Sequence, residues 1–164
     1  MRKVVVRDAT AKDVDTCHAI EAACFQASEA ASLANVRNRQ QRFPEGFLVA
    51  ESNGAIVGMI NSAATNEPDL ADEAFKGMVG HDPRGTSIVV FSVAVAPEHQ
   101  GTGVSRVLIE AFAERSKKLG MRCILLLCKR HLLDYYRKFG YRNVGISAST
   151  HGGFEWYEMR KDLD

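Results

Sequence analysis

The 164-residue sequence predicts an α/β fold, in which a mixed, mostly antiparallel twisted sheet of about six or seven strands is flanked by about four helices. Three observations support this prediction. Short apolar runs of strand length recur along the chain, Asn53-Gly54 separates two of them, and a helical pattern over 104–119 follows the apolar run 87–95. A hairpin pairs its strands antiparallel and a crossover helix pairs them parallel, so we expect both pairings in one sheet.

The amino-terminal elements are a short strand, Val4 to Arg7, and two helices. Thr10-Ala11-Lys12-Asp13 is typical of a capping box, in which a Thr hydroxyl and an acidic side chain satisfy the first N–H groups of a helix. The helix that starts there carries Val14, Cys17, Ile20, Glu21 and Cys24. A second helix is predicted from Ala30 to Arg42, since Pro44 cannot continue it.

A hairpin follows the second helix. The apolar runs Phe47 to Glu51 and Ile56 to Asn61 flank Asn53-Gly54, and an Asn-Gly pair favours the two-residue turn that joins antiparallel strands. These runs therefore predict two neighbouring strands of the sheet.

The second half of the chain alternates strands and helices. In an acidic segment, 67–73, Pro68 is followed by acidic residues, which is typical of a solvated helix start, although the charge could also attract a cationic substrate. After the strand 87–95 and the helix ending at Gly120 we predict a strand at 122–128, a short helix at 131–139, and strands at 141–146 and 154–161. The helix 104–119 is predicted to bury one apolar face: Val104, Val107, Leu108, Ala111, Phe112 and Leu119.

Length and composition indicate one domain spanning 1–164. With 46% hydrophobic and 25% charged residues and a net charge of +1, the chain has no global bias toward nucleic acid or acidic membranes. The start of the chain has only three consecutive apolar residues, Val4 to Val6, too few for a signal peptide or a membrane span. We therefore expect a cytoplasmic protein with no nucleic-acid or membrane partner, and the sequence leaves a homodimer open.

Cysteines and histidines form no recognisable metal motif. Cys17 and Cys24 lie about 10 Å apart along one predicted helix, beyond disulfide reach, and Cys123 and Cys128 bracket an apolar run. The five histidines show no H-E-x-x-H or similar spacing, so no metal site is predicted.

A glycine-bearing turn, Gln100 to Arg106, joins the strand 87–95 to its helix. Small residues let successive backbone N–H groups point into one concavity, and the helix that follows adds the positive end of its dipole. This arrangement is typical of a diphosphate site. The glycine pair alone favours an ordinary strand-turn-helix connection, since short glycine motifs recur by chance.

Two segments together resemble the GCN5-related N-acetyltransferases. In that family the turn reads Arg or Gln, two residues, Gly, one residue, and Gly or Ala, which is similar to Gln100-x-x-Gly103-x-Ser105 here. The later segment 135–141, Tyr-Tyr-Arg-Lys-Phe-Gly-Tyr, resembles the family's Tyr-x-x-x-Gly-Phe or Gly-Tyr pattern. The resemblance covers essentially the whole chain and implies a sheet with a splayed central parallel strand pair.

Within the family the chain most resembles the serotonin or arylalkylamine N-acetyltransferases. Pro44-Glu45, the segment 81–87 and Leu127-Cys128 carry this likeness. That branch has two histidines facing the amine on its central strand, and the corresponding positions here are Val89 and Phe91. The resemblance therefore implies that Val89 and Phe91 contact the substrate, and that the histidine base is missing.

The resemblance also implies how acetyl-CoA binds as co-substrate. Its diphosphate would bind the backbone N–H groups of the turn, and its pantetheine arm would pair with the exposed edge of the central strand. The implied cofactor-binding residues are Val93, Ala94, Val95, Gln100, Gly101, Thr102, Gly103, Val104, Ser105 and Arg106. Tyr136 falls on the position of the family's general acid, and a phenol with an ordinary pKa near 10 is protonated at neutral pH. A tyrosine that only packs remains the alternative.

The base that deprotonates the amine is left open by the sequence. A water on the strand backbone could act, or one of six side chains: His81, Glu21, Glu29, Glu51, His151 and Glu155. His81, close to Pro83, could equally orient a loop. Six aromatic side chains could line an aromatic-amine pocket or belong to the core: Phe25, Phe43, Phe47, Phe75, Phe91 and Trp156.

The expected function is transfer of the acetyl group of acetyl-CoA to a primary amine, an arylalkylamine or polyamine-like acceptor, by direct attack in a ternary complex. Two alternatives remain open. One is a non-catalytic acetyl-CoA-binding regulatory module that has lost the base, and the other is an acetyltransferase acting on a protein amine or an aminoglycoside.

Overall fold

A computed structural model describes residues 3–164, which form a seven-stranded sheet in the order β1-β2-β3-β4-β5-β7-β6. This confirms the predicted α/β class. The strands are β1 (Val4–Asp8), β2 (Leu48–Ser52), β3 (Ala55–Thr65), β4 (Ser87–Val95), β5 (Cys123–Cys128), β6 (Arg142–Ile146) and β7 (Tyr157–Asp162).

Helices lie on the sheet and between its strands. They are α1 (Val14–Cys24), α2 (Leu33–Arg42), α3 (Glu73–Lys76), α4 (Val104–Lys118) and α5 (Leu133–Arg137). The structure of residues 3–164 thus has one helix more than the four predicted, the single turn α3. Asp72, in the acidic segment, caps this turn by accepting the Ala74 N–H at 3.1 Å.

The two halves of the sheet meet at one parallel pair. Every other pairing among the seven strands is antiparallel, whereas β4 runs parallel to β5 over only four residues, Ser87 to Val90 against Cys123 to Leu126. Beyond Val90, β4 stays paired with β3 on one edge and leaves β5 on the other. This is the splayed parallel pair that the family resemblance implied.

The hairpin between β2 and β3 has the predicted turn. Asn53 and Gly54 have φ values of 53° and 78°, both in the left-handed region that Asn and Gly tolerate best. The capping box is also present, because Asp13 Oδ2 accepts the Thr10 N–H at 2.7 Å.

The core lies mainly between the sheet and α4, and here one prediction needs correction. Leu108 and Phe112 are fully buried, but Val107 and Leu119 are more than a third exposed, while Ile109 is buried instead. Residues 107 and 109 lie about 100° to either side of Leu108 on a helix, and the sheet covers the side of Ile109. Leu119 follows the last helical residue and lies at the surface.

Element ends differ by a few residues from the prediction. The second helix begins at Leu33 rather than Ala30, because the Ser32 hydroxyl accepts the Asn35 N–H and caps it there. The last strand begins at Tyr157 rather than Phe154, since a short helical turn, His151–Gly153, precedes it. The predicted helix 131–139 is regular only over Leu133–Arg137.

The four cysteines are free thiols, as expected from their spacing. Within residues 3–164 no group of three or more His, Cys, Asp or Glu side chains could hold a metal ion. Among the helices of the described chain, none combines the length and the apolar character that crossing a membrane requires.

Candidate functional site

A cavity of about 560 Å³ opens where β4 and β5 diverge. Residues from nearly every part of the chain line it. Besides Leu127 and Tyr136, the wall has two ends. One, near the carboxyl end of β4, includes Val93, Ala94, Val95 and Gln100; the other includes Glu21, Phe25, Glu29, Arg39, Phe75, Phe91, Lys129, His151 and Trp156. We call these the strand-edge end and the side-chain end.

The strand-edge end offers backbone that pairs with no neighbouring strand. The Ala96 N–H donates to the Val57 carbonyl at 2.8 Å, on the β3 side. Because alternate residues of a strand turn their N–H and C=O groups to opposite edges, Val93 and Val95 present theirs to the edge that β5 leaves open. The Val95 carbonyl accepts the Gln100 amide and the Cys24 thiol there, each at 3.0 Å.

The turn after β4 and the first residues of α4 have backbone N–H groups that are not bonded within the helix. Gly101 and Gly103 have φ values of 76° and 90°, and an added Cβ at either would meet nothing within 4 Å, so the need for glycine there is conformational. The first N–H of α4 bonded within the helix is that of Val107, to the Gly103 carbonyl. The preceding N–H groups, up to Arg106, therefore have no partner within the helix.

Side chains of the turn are engaged in local contacts. The Thr102 hydroxyl donates to the His99 carbonyl, and Arg106 forms an exposed ion pair with Glu110 at 2.9 Å. Gly101 to Arg106 lie outside the cavity lining, whereas Gln100 lines it. What the turn offers a ligand is thus mostly backbone.

Two adjacent tyrosines of α5 have different surroundings. The Tyr135 hydroxyl shares a 2.5 Å hydrogen bond with the Ser105 hydroxyl, which joins α5 to the start of α4. Tyr136 is buried, packs its ring against Tyr135 and Tyr141, and lines the cavity. Its hydroxyl forms no hydrogen bond with any residue of 3–164.

Burial raises the pKa of Tyr136, because the low-dielectric interior penalises the phenolate. The phenol therefore stays protonated throughout the neutral range. A protonated donor with no protein acceptor, on the wall of a cavity, is free to donate to a bound molecule.

The side-chain end is lined by aromatic rings. Phe91 packs edge-on against Phe75 with ring centroids 5.3 Å apart, and Phe25, Val89 and Trp156 also line the cavity. Phe43 and Phe47 do not; they are almost fully buried in the core. Four of the six aromatic candidates are thus brought together at the cavity.

Arg39 enters the cavity wall from α2 and is only 3% exposed. Its Nε donates to the Lys76 carbonyl at 3.1 Å, its Nη1 donates to Asn61 Oδ1 at 3.1 Å and to the Ser92 hydroxyl at 3.4 Å, and the guanidinium lies 4.6 Å from the Phe91 ring centroid. Burial lowers the pKa of Arg39 to about 10, so the group is still charged at neutral pH. The sequence analysis did not single out Arg39, although its i+3 spacing from the buried Val36 places it on the inner face of α2.

Glu21 and Glu29 are the buried carboxyl groups of the wall, 2% and 9% exposed. Glu21 accepts the Ala31 N–H at 3.0 Å through Oε2, and its buried Oε1 has no partner among residues 3–164. Glu29 is paired with Lys129 at 3.1 Å, and Lys129 also lies 3.8 Å from the Phe154 ring centroid. Of the two, only Glu21 keeps a carboxyl oxygen free of a cation.

His151 is held in place by two contacts. Its Nδ1 lies 2.6 Å from Glu73 Oε1 and its Nε2 lies 2.8 Å from the Glu29 carbonyl oxygen. Both ring nitrogens are therefore occupied, which leaves His151 to shape the wall. Lys129 and its pairing with Glu29 are absent from the sequence analysis, since no local pattern links residues 100 positions apart.

The remaining candidates for the amine base lie away from the cavity. His81 Nδ1 accepts the Ala64 N–H at 3.0 Å and its ring packs on Phe43, a loop-holding role. Glu51 pairs with Arg7 at 2.8 Å, and Glu155 is exposed. None of the three lines the cavity wall.

Comparison with known proteins agrees with this geometry. The model of the acetyltransferase (GNAT) family matches residues 14–141, which include the splayed strands, the turn and both tyrosines. The chain belongs to the GNAT family. The match covers most of the chain but does not distinguish the arylalkylamine branch of the family from others.

Two curated relatives come from Bacillus subtilis. YhcX, named a probable hydrolase, is 25% identical over 134 residues, 76% of this chain and 26% of its own length. YkwB, named an uncharacterized N-acetyltransferase, is 24% identical over 122 residues, 68% of this chain and 54% of its own length. This GNAT chain thus spans about a quarter and about half of these two relatives.

Solved GNAT structures share the whole fold. The GNAT-like decarboxylase GphF, in complex with isobutyryl-CoA, superposes with a TM-score of 0.86 at 20% identity over 98% of this chain and 100% of its own. yncA from Salmonella typhimurium, with its cofactor acetyl-CoA, gives a TM-score of 0.68 at 19% identity over 99% of this chain and 95% of its own. At these identities the likeness establishes the fold.

Proposed function

We propose that the protein is an acetyl-CoA-dependent N-acetyltransferase that transfers the acetyl group to a primary amine in a ternary complex. The single observation that carries the proposal is the open edge of β4, which lies between a turn whose N–H groups have no partner within the helix and a cavity where the reacting groups of the two substrates can meet. Membership of the GNAT family supports acetyl-CoA as co-substrate.

The cofactor residues of the proposal follow from that edge. The amides of the pantetheine arm pair with Val93 and Val95, as an added strand would, and Ala94 packs beneath them. The diphosphate binds the N–H groups from Gly101 to Arg106, where the dipole of the 15-residue helix α4 favours an anion. Gln100 keeps the turn against β4 through its bond to Val95.

The reaction needs one acid and one base. The neutral amine attacks the thioester carbonyl carbon, a C–N bond forms, the C–S bond breaks, and the departing thiolate takes a proton from the Tyr136 hydroxyl. The burial that raises the pKa of Tyr136 also destabilises a thiolate in the same cavity, so the weaker acidity of the phenol is offset by the stronger basicity of the thiolate. The proton lost by the amine goes to a base on the side-chain end.

We assign that base to Glu21, acting through a water, because its unpartnered oxygen Oε1 is itself buried. Its carboxyl group lines the cavity and one oxygen has no partner, whereas Glu29 is neutralised by Lys129 and both nitrogens of His151 are engaged. Glu21 thereby takes the place of the histidine pair that Val89 and Phe91 replace.

The lining favours an arylalkylamine over a polyamine as acceptor. Phe25, Phe75, Phe91 and Trp156 provide aromatic faces for a ring, and Phe91 with Val89 occupies the position that faces the amine in the branch the sequence resembles. A polyamine would bring several positive charges next to the buried guanidinium of Arg39, which disfavours it.

The test is acetyl-CoA turnover with phenethylamine, tryptamine and spermidine, with free thiol as the readout. Calorimetric titration with acetyl-CoA measures binding separately. Turnover with the aryl amines above the rate without amine supports the proposal. Binding of acetyl-CoA without turnover of any amine, including aminoglycosides and peptide amines, would assign the chain to the regulatory-module alternative.

A further inference from the structure

Arg39 differs from the paired arginines of the described chain. Arg7 and Arg115, for example, contact carboxylates within 2.8 Å, while Arg39 is buried and has none within 4.0 Å. The partners it does have are neutral oxygens of Lys76, Asn61 and Ser92. A buried cation without a direct ion-pair partner is costly in a folded protein, so an anionic group of a ligand that contacted Arg39 would be stabilised there.

One nitrogen of Arg39 remains available. The neutral partners use Nε and Nη1, and Nη2 donates to no atom of residues 3–164. Nη2 is not fully buried, and Arg39 lines the cavity. The free N–H groups of Nη2 therefore face the space between the strands.

Neighbouring charges leave the guanidinium of Arg39 without a direct ion pair. Lys76, whose carbonyl oxygen accepts from Arg39, forms its own ion pair with Glu73 at 3.0 Å. Glu21 acts on Arg39 through its charge, but no carboxyl oxygen of Glu21 lies within 4.0 Å of the guanidinium. The planar guanidinium prefers planar anions, and a single carboxylate balances its one charge where a phosphate dianion would not.

We propose that Arg39 Nη2 binds a carboxylate group of the substrate at the side-chain end of the cavity. This inference rests on the proposed function, because it concerns the reactants of that site. With Phe91 and Phe75 beside the guanidinium, the acceptor it fits is an aromatic amino acid, whose carboxylate binds Arg39 while Glu21 faces the amine. The same carboxylate chemistry could instead come from the acyl group of a dicarboxylic acyl-CoA.

Binding measurements test this without requiring turnover. For the acceptor source, CoA-loaded protein is titrated with N-acetylphenylalanine and with N-acetylphenylalaninamide, which match in size and differ in the charge of one group. For the acyl source, malonyl-CoA is compared with butyryl-CoA. We expect the acid of one pair to bind at least tenfold more tightly than its neutral counterpart.

Two variants assign the preference to Arg39. Arg39→Gln should reduce the acid-to-neutral ratio to about one, while Arg37→Gln, the same change on the exposed face of the same helix, should leave it intact. Arg39→Lys, which keeps the charge but loses the planar fork, should retain part of it. If Arg39→Gln does not fold, the acid-to-neutral affinity ratios of the wild type and of Arg39→Lys still test the inference.

Neutral counterparts that bind as tightly as the acids in both pairs would overturn the inference, as would an acid preference unchanged in folded Arg39→Gln. These outcomes are separate from failure of the proposed function, which would appear as no turnover of any amine. The pair that shows the preference identifies which reactant carries the carboxylate.

Discussion

The two ends of the cavity are made in different ways. The strand-edge end consists of backbone from one continuous segment, β4 and the turn to α4, whose side chains are small or engaged locally. The side-chain end consists of charged and aromatic groups from α1, α2, the α3 region and the loop at His151, which are distant in sequence. Backbone geometry suits the recognition of the amides and diphosphate of acetyl-CoA, and side chains suit the recognition of a particular acceptor.

This difference predicts that changes at the two ends affect different kinetic constants. Changes in the turn should alter acetyl-CoA binding, and changes in the aromatic and charged wall should alter acceptor use. Tyr136 lines the cavity outside both sets and should affect the chemical step alone.

The largest effect is expected for Tyr136→Phe. Removing the hydroxyl should lower kcat by about 10³-fold, because the thiolate loses its proton donor, while the Kd for acetyl-CoA changes little. Tyr135→Phe on the same helix is the control, since it removes only the bond to Ser105. Steady-state rates and calorimetry with both variants test this; equal losses in the two would remove Tyr136 from the chemistry.

The second-largest effect is expected for Glu21→Gln, which changes the side-chain end of the cavity. The amide keeps an oxygen for the Ala31 N–H but cannot take a proton, so we expect kcat/KM for the amine to fall about 10²-fold. Calorimetry should show unchanged acetyl-CoA affinity. Asp15→Asn, on the exposed face of the same helix, is the matched control, and a comparable loss there would contradict the assignment.

Gly103→Ala tests the strand-edge end. Alanine resists a φ of 90° by about 1 kcal/mol, so the turn relaxes in the free protein and must be restored on binding, which weakens acetyl-CoA about fivefold. Gly120→Ala is matched to it: φ is 78°, the space is equally open, and the site is the other end of α4. Gly120→Ala should be destabilised as much as Gly103→Ala in urea unfolding, but it should bind acetyl-CoA with wild-type affinity. Equal acetyl-CoA affinities in the two variants would argue against binding of acetyl-CoA by the turn.

The smallest effect concerns the pH dependence of stability. Hydrogen bonds from Arg7 lower the pKa of Asp13, at the start of the helix that carries Glu21, from 3.8 to about 2. A lowered carboxyl pKa contributes stability above pH 4 that is lost as the pH falls toward 2. Since the Arg7 side chain is about one-third exposed, we expect only about 1 kcal/mol.

Urea unfolding at pH 6, 4 and 3 measures this contribution. Asp13→Asn should have lower stability than the wild type at pH 6, and the difference should shrink by pH 3. A difference that stays constant over this range would show that Asp13 acts through its shape and not its charge.

Much of the fold could be predicted because its signals are local. Asn53-Gly54 determines its hairpin turn, the Thr10 and Asp13 pair caps its helix, and the apolar run 87–95 forms the central strand. The errors are local as well. Val107 was assigned to the buried face because periodicity gives the apolar side of a helix but not how far the sheet extends across it.

In the candidate site, too, local features could be predicted from the sequence and contacts between distant segments could not. The turn and Tyr136 of the proposed site are predicted from motifs within one segment, whereas the sequence offers six candidates for the base and no reason to prefer Glu21, which we propose from the structure. Arg39 was overlooked because an arginine in an amphipathic helix is usually exposed. Its burial depends on Asn61, Ser92 and Lys76, contributed by three other segments.

The sequence by itself determined the order of strands and helices, the Asn-Gly hairpin, and the glycine turn that leads into α4, because each depends on interactions between residues near one another in the chain. Only the tertiary structure decided where β4 and β5 separate and which charges face each other across the opening. The burial and pairing of a charged side chain depend on what packs around it, and those neighbours come from distant parts of the chain.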